Sequence, residues 1–402
     1  MNLFIVSNIG QLYQAQALIR KKNLDQNILA LLYTNVNTTI LDYLHANVDE
    51  SLFVKKETVL LPNHPNNFSI RKLAKIRLEY EQLFNKYNPE KVFICSFESH
   101  YNFIKDIAVE KSVMTVLFED GTATYKFLIE EDEEEPKLTK RMKRAFRISG
   151  NDFKNAFKKL FAAITQLTKA SIRTLKRLIA ALFTKEQRKN LKASIYPKHL
   201  KSAFKTINEF DEVYVTFPEK AKDIFKSKVY NEMISDYSLN EETTEVINRS
   251  NTLKKLASNS VVFVNQRYNV PVNLHVNIIL SFLSQYYNED KIFVKFHPKD
   301  STEMKEAFWS GLQNFKLDAE IIDLNIEVPF EAILKVKKPK EVIGISSTSL
   351  IYTQKILPTT TTVSCANYYI DNLKQNKVDQ KVVDLISYHK RILETLSDID
   401  VK

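Results

Sequence analysis

Short apolar runs alternate with segments of helical periodicity along most of this chain. In the first third, residues 3–7, 27–34, 91–96 and 114–118 are strand-like. Residues 69–87, and a stretch from about 11 to 22, repeat apolar positions at helical spacing. The strand-like runs are continuous rather than alternating, which marks strands buried on both faces of a parallel sheet. The pattern resumes after Asp211, with strands at 212–216, 261–265, 292–296, 319–323 and 342–345. Helices are expected near 272–287 and 330–334, and a closing helix near 382–396. Strand and helix in strict alternation predict an α/β protein with doubly wound, Rossmann-like parallel sheets.

Between the two alternating regions the pattern changes. An unbroken acidic run, Glu130 to Glu135, is closed by Pro136. From Asn151 to Phe183 apolar residues such as Phe153, Phe157, Leu160, Ile164, Ile172, Leu175 and Leu182 recur at helical spacing, and lysines and arginines fill the other face. These read as basic amphipathic helices. The layout predicts an N-terminal domain over 1–136, a basic helical insertion over 137–205, a second domain over 206–375 and a C-terminal helix over 376–402.

Charge sharpens this division. Residues 137–205 hold 20 Lys and Arg against 2 acids, a balance of +18, which leaves −8 on the rest of a chain whose net charge is +10. Such a segment points to a polyanion or an anionic membrane surface. The length of 402 residues suits two domains, and 44% hydrophobic content suits real cores. Two cysteines give no disulfide framework, so a reducing cytoplasm is expected. The chain starts directly on a strand pattern, with no signal-like leader, and no run of about 18 apolar residues predicts a membrane span.

Chemistry-bearing residues cluster at strand ends, where open α/β sheets build their sites. The strand 114–118 runs into Glu119-Asp120-Gly121. Glycine is rare here, 5 in 402 against roughly 7% in average proteins, and Gly10, Gly121 and Gly344 all follow strand-like runs. Asn8 and Gly10 turn the first strand into a helix starting near Gln11. Lys295 and His297 share one face of a strand end that Pro298 stops. Gly344 leads into Ser346, Ser347, Thr348 and Ser349; one hydroxyl suffices for an N-cap, so four suggest an anion site at a helix N-terminus. Glu331 sits at another helix start. There is no P-loop, no HExxH and no Cys/His metal spacing. The single Asp-x-Asp, Asp398-Ile399-Asp400, falls at the frayed C-terminus, so a metal-bound pyrophosphate site is not indicated.

In type and order, Glu119-Asp120-Gly121, Lys295-Phe296-His297-Pro298 and Ser346-Ser347-Thr348 resemble the acidic-acidic-Gly, Lys-x-His-Pro and Ser-Ser/Thr motifs of the bacterial sialyltransferases. The run from Leu3 to Leu12, together with Glu119 to Lys126, is most similar to the capsule polysialyltransferases. Two α/β domains with an insertion also match a GT-B glycosyltransferase, with its site in the central cleft. The resemblance implies inverting, metal-independent transfer of sialic acid from CMP-sialic acid to the non-reducing end of a sialic acid chain in capsule synthesis. No cofactor is implied beyond that donor.

Roles follow from the resemblance. A carboxylate of the pair is the general base; the resemblance favours Glu119, while the residues alone do not choose between it and Asp120. His297 stabilises the departing CMP phosphate, Ser346 and Ser347 hold it, and Thr348 and Pro298 belong to the same motifs. Lys295 lies by the cytosine and Glu331 takes the ribose hydroxyls. Asn8, Gly10, Gln11 and Gly121 form the acceptor side or its turns. Expected partners are CMP-sialic acid, an oligosialic acid acceptor on the basic segment, the anionic inner membrane and capsule assembly proteins, with no nucleic acid. The expected location is cytoplasmic and peripheral on that membrane. The resemblance also implies residues ahead of the first strand, so a shortened N-terminus is expected. The basic insertion is left with three readings: a groove for the polyanionic chain, a membrane surface, or apolar stripes that cover the domains. Two alternatives stand beside the main reading: a lipooligosaccharide sialyltransferase or other CMP-sugar transferase, and a non-catalytic polyanion binder.

Overall fold

The computed structural model describes residues 1–35, 38–62, 69–130, 142, 163–233, 241–297, 300–322 and 330–402. Within them, two sheets carry the fold. The first joins β1 (Asn2–Val6), β2 (Asn27–Thr34), β3 (Lys55–Leu61), β4 (Lys91–Ile94), β5 (Met114–Phe118), β6 (Glu212–Val215) and β7 (Val229–Glu232) in the order β3-β2-β1-β4-β5-β6-β7. The second joins β8 (Val261–Val264), β9 (Ile292–Lys295), β10 (Ala319–Ile322), β11 (Glu341–Gly344), β12 (Thr361–Ser364) and β13 (Asp400–Val401) in the order β10-β9-β8-β11-β12-β13. Every strand pairing is parallel. Each sheet therefore repeats the Rossmann strand order, and each has a topological switch point beside its first strand, where ligand crevices form.

The central strands are apolar throughout. Phe4, Ile28, Val92, Val116, Phe263, Phe293 and Ile343 are fully or almost fully buried. This is the double-sided burial that the unbroken hydrophobic runs anticipate. Together the two domains form the GT-B arrangement, with a cleft between their strand ends.

The sheets move two expected boundaries. The second domain does not begin near residue 206, because β6 and β7 extend the first sheet. Asp211 explains the return: its Oδ2 accepts from the Thr115 N–H at 2.7 Å and from the Thr115 hydroxyl at 2.9 Å, which docks the incoming chain beside β5. At the other end, Asp400 and Val401 are not frayed but pair with Val363 and Ser364 of β12, and Ile399 is buried. Strand β3 carries no clear strand signal because its first half, Lys55-Lys56-Glu57, lies on the exposed edge of the sheet.

The basic insertion appears from Ala163 onward as helices Ala163–Leu182 and Lys185–Ile195; its first half lies outside the described residues. It is tied to the first domain through the turn Lys198–Phe204, where Leu200 is buried and Asn102 Nδ2 donates to the Ser202 carbonyl at 2.9 Å. Beside it the buried Arg77 binds Glu110 at 2.8 Å, Glu81 at 2.7 Å and the His199 carbonyl at 3.3 Å. Removing that guanidinium leaves a cavity beside this carbonyl and takes the cation from Glu81, which is half-buried, and from the exposed Glu110. Arg77→Met should lower the unfolding free energy by about 2 kcal/mol and speed proteolysis within 163–205. Unfolding in urea and timed digestion check this, and an unchanged urea midpoint would contradict it.

Candidate active site in the interdomain cleft

A cleft of about 410 Å³ opens between the carboxyl ends of the two sheets. Ile9, Gly10, Tyr13, Gln14, Asp120 and Gly121 line it from the first domain. From the second come residues after β8 (Asn265, Gln266), after β9 (Phe296, His297) and after β11 (Ser347, Thr348, Ser349), with Lys295, Glu331 and Tyr352. The three motifs that lie far apart in sequence thus converge on one space.

The acidic pair is split by its backbone. Glu119 turns inward and is 1% exposed. Its Oε2 accepts from the Tyr125 hydroxyl at 2.6 Å and the Thr216 N–H at 2.5 Å; its Oε1 accepts from the Thr216 hydroxyl at 3.0 Å and the Tyr352 hydroxyl at 2.5 Å. Tyr352 belongs to the second domain, so this carboxylate spans the interface. Burial raises its pKa, although all these donors pull the other way.

Asp120 is the carboxylate that borders the cleft. It is oriented by the first turn of helix Ile9–Lys22. Asn8 caps that helix by accepting from the Gln11 N–H at 2.9 Å, and its Nδ2 lies 3.4 Å from Asp120 Oδ1. Gln11 Oε1 accepts from the Ser7 N–H at 2.7 Å and the Ser7 hydroxyl at 3.0 Å, which leaves the amide N–H of Gln11 to donate to Asp120. Burial raises the Asp120 pKa; Gln11, Asn8 and Lys126 oppose the rise. The helix starts at Ile9, so Gly10 is not a turn residue but sits within the first helical turn, where its missing side chain leaves the cleft wall open. Gly121 does need glycine's freedom: its φ is +59°, and it faces Thr348 across the cleft.

On the opposite wall, His297 stands at the end of the strand continued from β9, and Asp300 holds its backbone N–H at 2.9 Å. Asp300 also accepts from Asn265 Nδ2 at 2.7 Å. The Asn265 Oδ1 is then an acceptor, so His275 donates to it through Nε2–H at 2.9 Å and takes the Tyr369 hydroxyl on Nδ1 at 2.6 Å. Burial pushes His275 down to about 4, in keeping with this neutral form. A buried chain of hydrogen bonds therefore fixes the loop that carries His297. Pro298 lies outside the described residues.

The serine cluster divides. Ser347 caps helix Thr348–Ile356 and accepts from the Ser349 N–H at 3.3 Å while facing the cleft. The Thr348 hydroxyl meets the Thr122 hydroxyl of the first domain at 3.1 Å. Ser346 is set behind this wall: its hydroxyl is 2.5 Å from that of Tyr268, and its N–H donates to Gln266 Oε1 at 2.5 Å. Glu331 is buried at the start of helix Phe330–Lys337 and accepts from Ser349 at 3.3 Å. Burial raises its pKa, and the nearby Lys295 opposes that rise. Tyr352, Thr216, Tyr125, Asn265 and Gln266 complete the site. Isolated tyrosines, threonines and amides carry no motif, and of these five only Tyr125 lies inside the run from Glu119 to Lys126 that carries the resemblance.

A family model described as alpha-2,8-polysialyltransferase (POLYST) matches residues 2–366 of the chain. No curated protein sequence matches it. Among solved structures, the chain is similar to Arabidopsis thaliana UGT89C1, with 10% identity, 93% of this chain and 81% of that one covered, and a TM-score of 0.48. It is also similar to the Staphylococcus aureus MnaA–UDP co-structure, with 10% identity, coverage of 96% and 90%, and a TM-score of 0.43. A third is UDP-GlcNAc 2-epimerase from Neisseria meningitidis bound to UDP-GlcNAc, with 10% identity, coverage of 98% and 99%, and a TM-score of 0.41.

The raised pKa of Glu119 has a measurable sign. The folded state holds this proton more tightly than the unfolded chain. The group's contribution to stability is therefore complete below its ordinary value of 4.5 and is lost as pH rises through the raised one. The stability difference between wild type and Glu119→Gln should fall with rising pH across that window, by at most about 1.4 kcal/mol per pH unit. Urea unfolding at a series of pH values measures it; a flat or rising difference contradicts the assignment.

Proposed function

The chain belongs to the alpha-2,8-polysialyltransferase family, and on that premise we propose that it extends a sialic acid chain at its non-reducing end, using CMP-sialic acid, with inversion and without a metal. The observation that carries this reading is the convergence of Asp120, His297, Lys295, Glu331 and Ser347 on one interdomain cleft. CMP leaves as a monophosphate, so it asks for donors rather than for a metal-bound pyrophosphate site. His297 and the free end of helix Thr348–Ile356, with Ser347 and Thr348, suit that phosphate. Glu331 and Lys295 suit the ribose hydroxyls and the cytosine. Ser346 serves by holding Tyr268 and Gln266 rather than by touching the phosphate.

An acceptor hydroxyl approaching the donor sugar needs a base. Asp120 borders the cleft, and its raised pKa strengthens it as a proton acceptor. Glu119, which the resemblance favours, does not line this cleft, and Tyr125, Thr216 and Tyr352 hold both its oxygens. In the arrangement described, Asp120 takes the proton and Glu119 locks the two domains together. A role in capsule synthesis at the inner face of the cytoplasmic membrane completes the proposal; among the described residues no helix is long and apolar enough to cross a membrane.

Release of CMP from CMP-sialic acid with an oligosialic acid acceptor tests these roles. Asp120→Asn should lower kcat by about 10²- to 10⁴-fold with an unchanged unfolding transition. The wild-type rate should rise with pH through a value above 3.8, the ordinary value for Asp120. A Glu119→Gln enzyme that is folded but inactive, beside an active Asp120→Asn, would transfer the base role to Glu119. Full activity in both variants would remove the pair from the chemistry.

A further inference from the structure

Gln266 lines the cleft from the end of β8, the middle strand of β9-β8-β11. Val264 pairs with Lys295 of β9 and with Gly344 of β11, and the Asn265 N–H continues the ladder by donating to the Lys295 carbonyl at 2.8 Å. Two residues beyond these pairs stand Gln266, His297 and Ser346. Gln266 is therefore level with His297 on one side and Ser346 on the other, at a spacing of about 5 Å from strand to strand. A group that touches both His297 and Ser347 lies across Gln266.

The amide is held one way round. Its Oε1 accepts from the Ser346 N–H at 2.5 Å, and a backbone N–H can only donate, so the oxygen faces Ser346 and the nitrogen faces away. Ser346 is fixed in turn. Its hydroxyl is 2.5 Å from that of Tyr268, which lies 3.3 Å from Nδ1 of His389 on helix Gln380–Leu396. Among the described residues no oxygen accepts from Gln266 Nε2, and the side chain is half-buried. The cleft is thus offered a donor whose direction is set before a ligand arrives. We propose that Gln266 Nε2 donates to a non-bridging oxygen of the nucleotide phosphate, between His297 and Ser347. A fixed donor suits that group. When the bond from the phosphate oxygen to the sugar breaks, the electron pair stays on the phosphate, and its negative charge grows where donors are already in place. The first serine of the Ser-Ser-Thr run then acts on the phosphate through Gln266. This inference rests on the reading of the cleft as a CMP site.

Binding of CMP and of cytidine, titrated by ligand-observed NMR, tests it. Gln266→Glu keeps an oxygen for the Ser346 N–H and replaces the donor with an anion, whereas Gln266→Met removes both. Gln266→Glu should keep the wild-type urea midpoint and bind CMP at least about tenfold more weakly, with cytidine affinity within about twofold of wild type. Gln266→Met should lose about tenfold for CMP and nothing for cytidine. Wild-type CMP affinity in Gln266→Glu overturns the proposal and leaves Gln266 as a partner of Ser346 alone. Equal losses for CMP and cytidine overturn it as well, since the amide then acts on the shape of the cleft. A loss confined to CMP-sialic acid, with CMP unaffected, overturns it by placing the amide against the sugar. Wild type that binds CMP no better than cytidine defeats the phosphate reading of the cleft itself, and the variants play no part in that result.

Discussion

A buried carboxylate must be satisfied by fixed donors, and Glu119 draws its donors from both domains. Tyr125 and Thr216 come from the first domain and Tyr352 from the second, so the protonation and packing of one side chain are tied to how the two sheets face each other. The rest of the site follows from this closure. Gly121, two residues on, approaches Thr348 closely, Thr122 meets Thr348, and the cleft is bounded by Asp120 on one side and His297 and Ser347 on the other. The same closure explains why two adjacent carboxylates are not equivalent: the backbone sends one into the protein and the other into the cleft.

Much of this was legible in the chain. Unbroken apolar runs such as Phe4-Ile5-Val6 and Val261-Val262-Phe263 announce parallel strands because they are buried on both faces. The motif residues stand out because polar side chains right after such runs have few purely structural reasons to be there. Local pattern does not say where the chain goes after a long insertion. Glu212 to Val215 looks like the first strand of a new domain, and only the Asp211–Thr115 contact reveals that it rejoins the first sheet. The roles within a motif are equally hidden. Ser346 and Ser347 are alike in sequence, yet Tyr268 and Gln266 draw the first away from the cleft. The positioning residues Asn265, His275 and Asp300 lie on different elements and have no shared signature.

Charge is divided along the same lines as structure. A balance of +18 is confined to residues 137–205, and the two α/β domains carry the compensating −8. Inside the cleft a local pair is kept, with the Lys295 charge close enough to Glu331 to oppose the rise of its pKa. Arg77 and Leu200 fix the end of the insertion to the first domain.

If the cleft between Asp120 and His297 is the CMP site, a crystal structure of the chain with CMP will show the phosphate within hydrogen-bond distance of His297 and of Ser347, with the ribose hydroxyls against Glu331. A nucleotide bound away from His297 and Ser347 would contradict it.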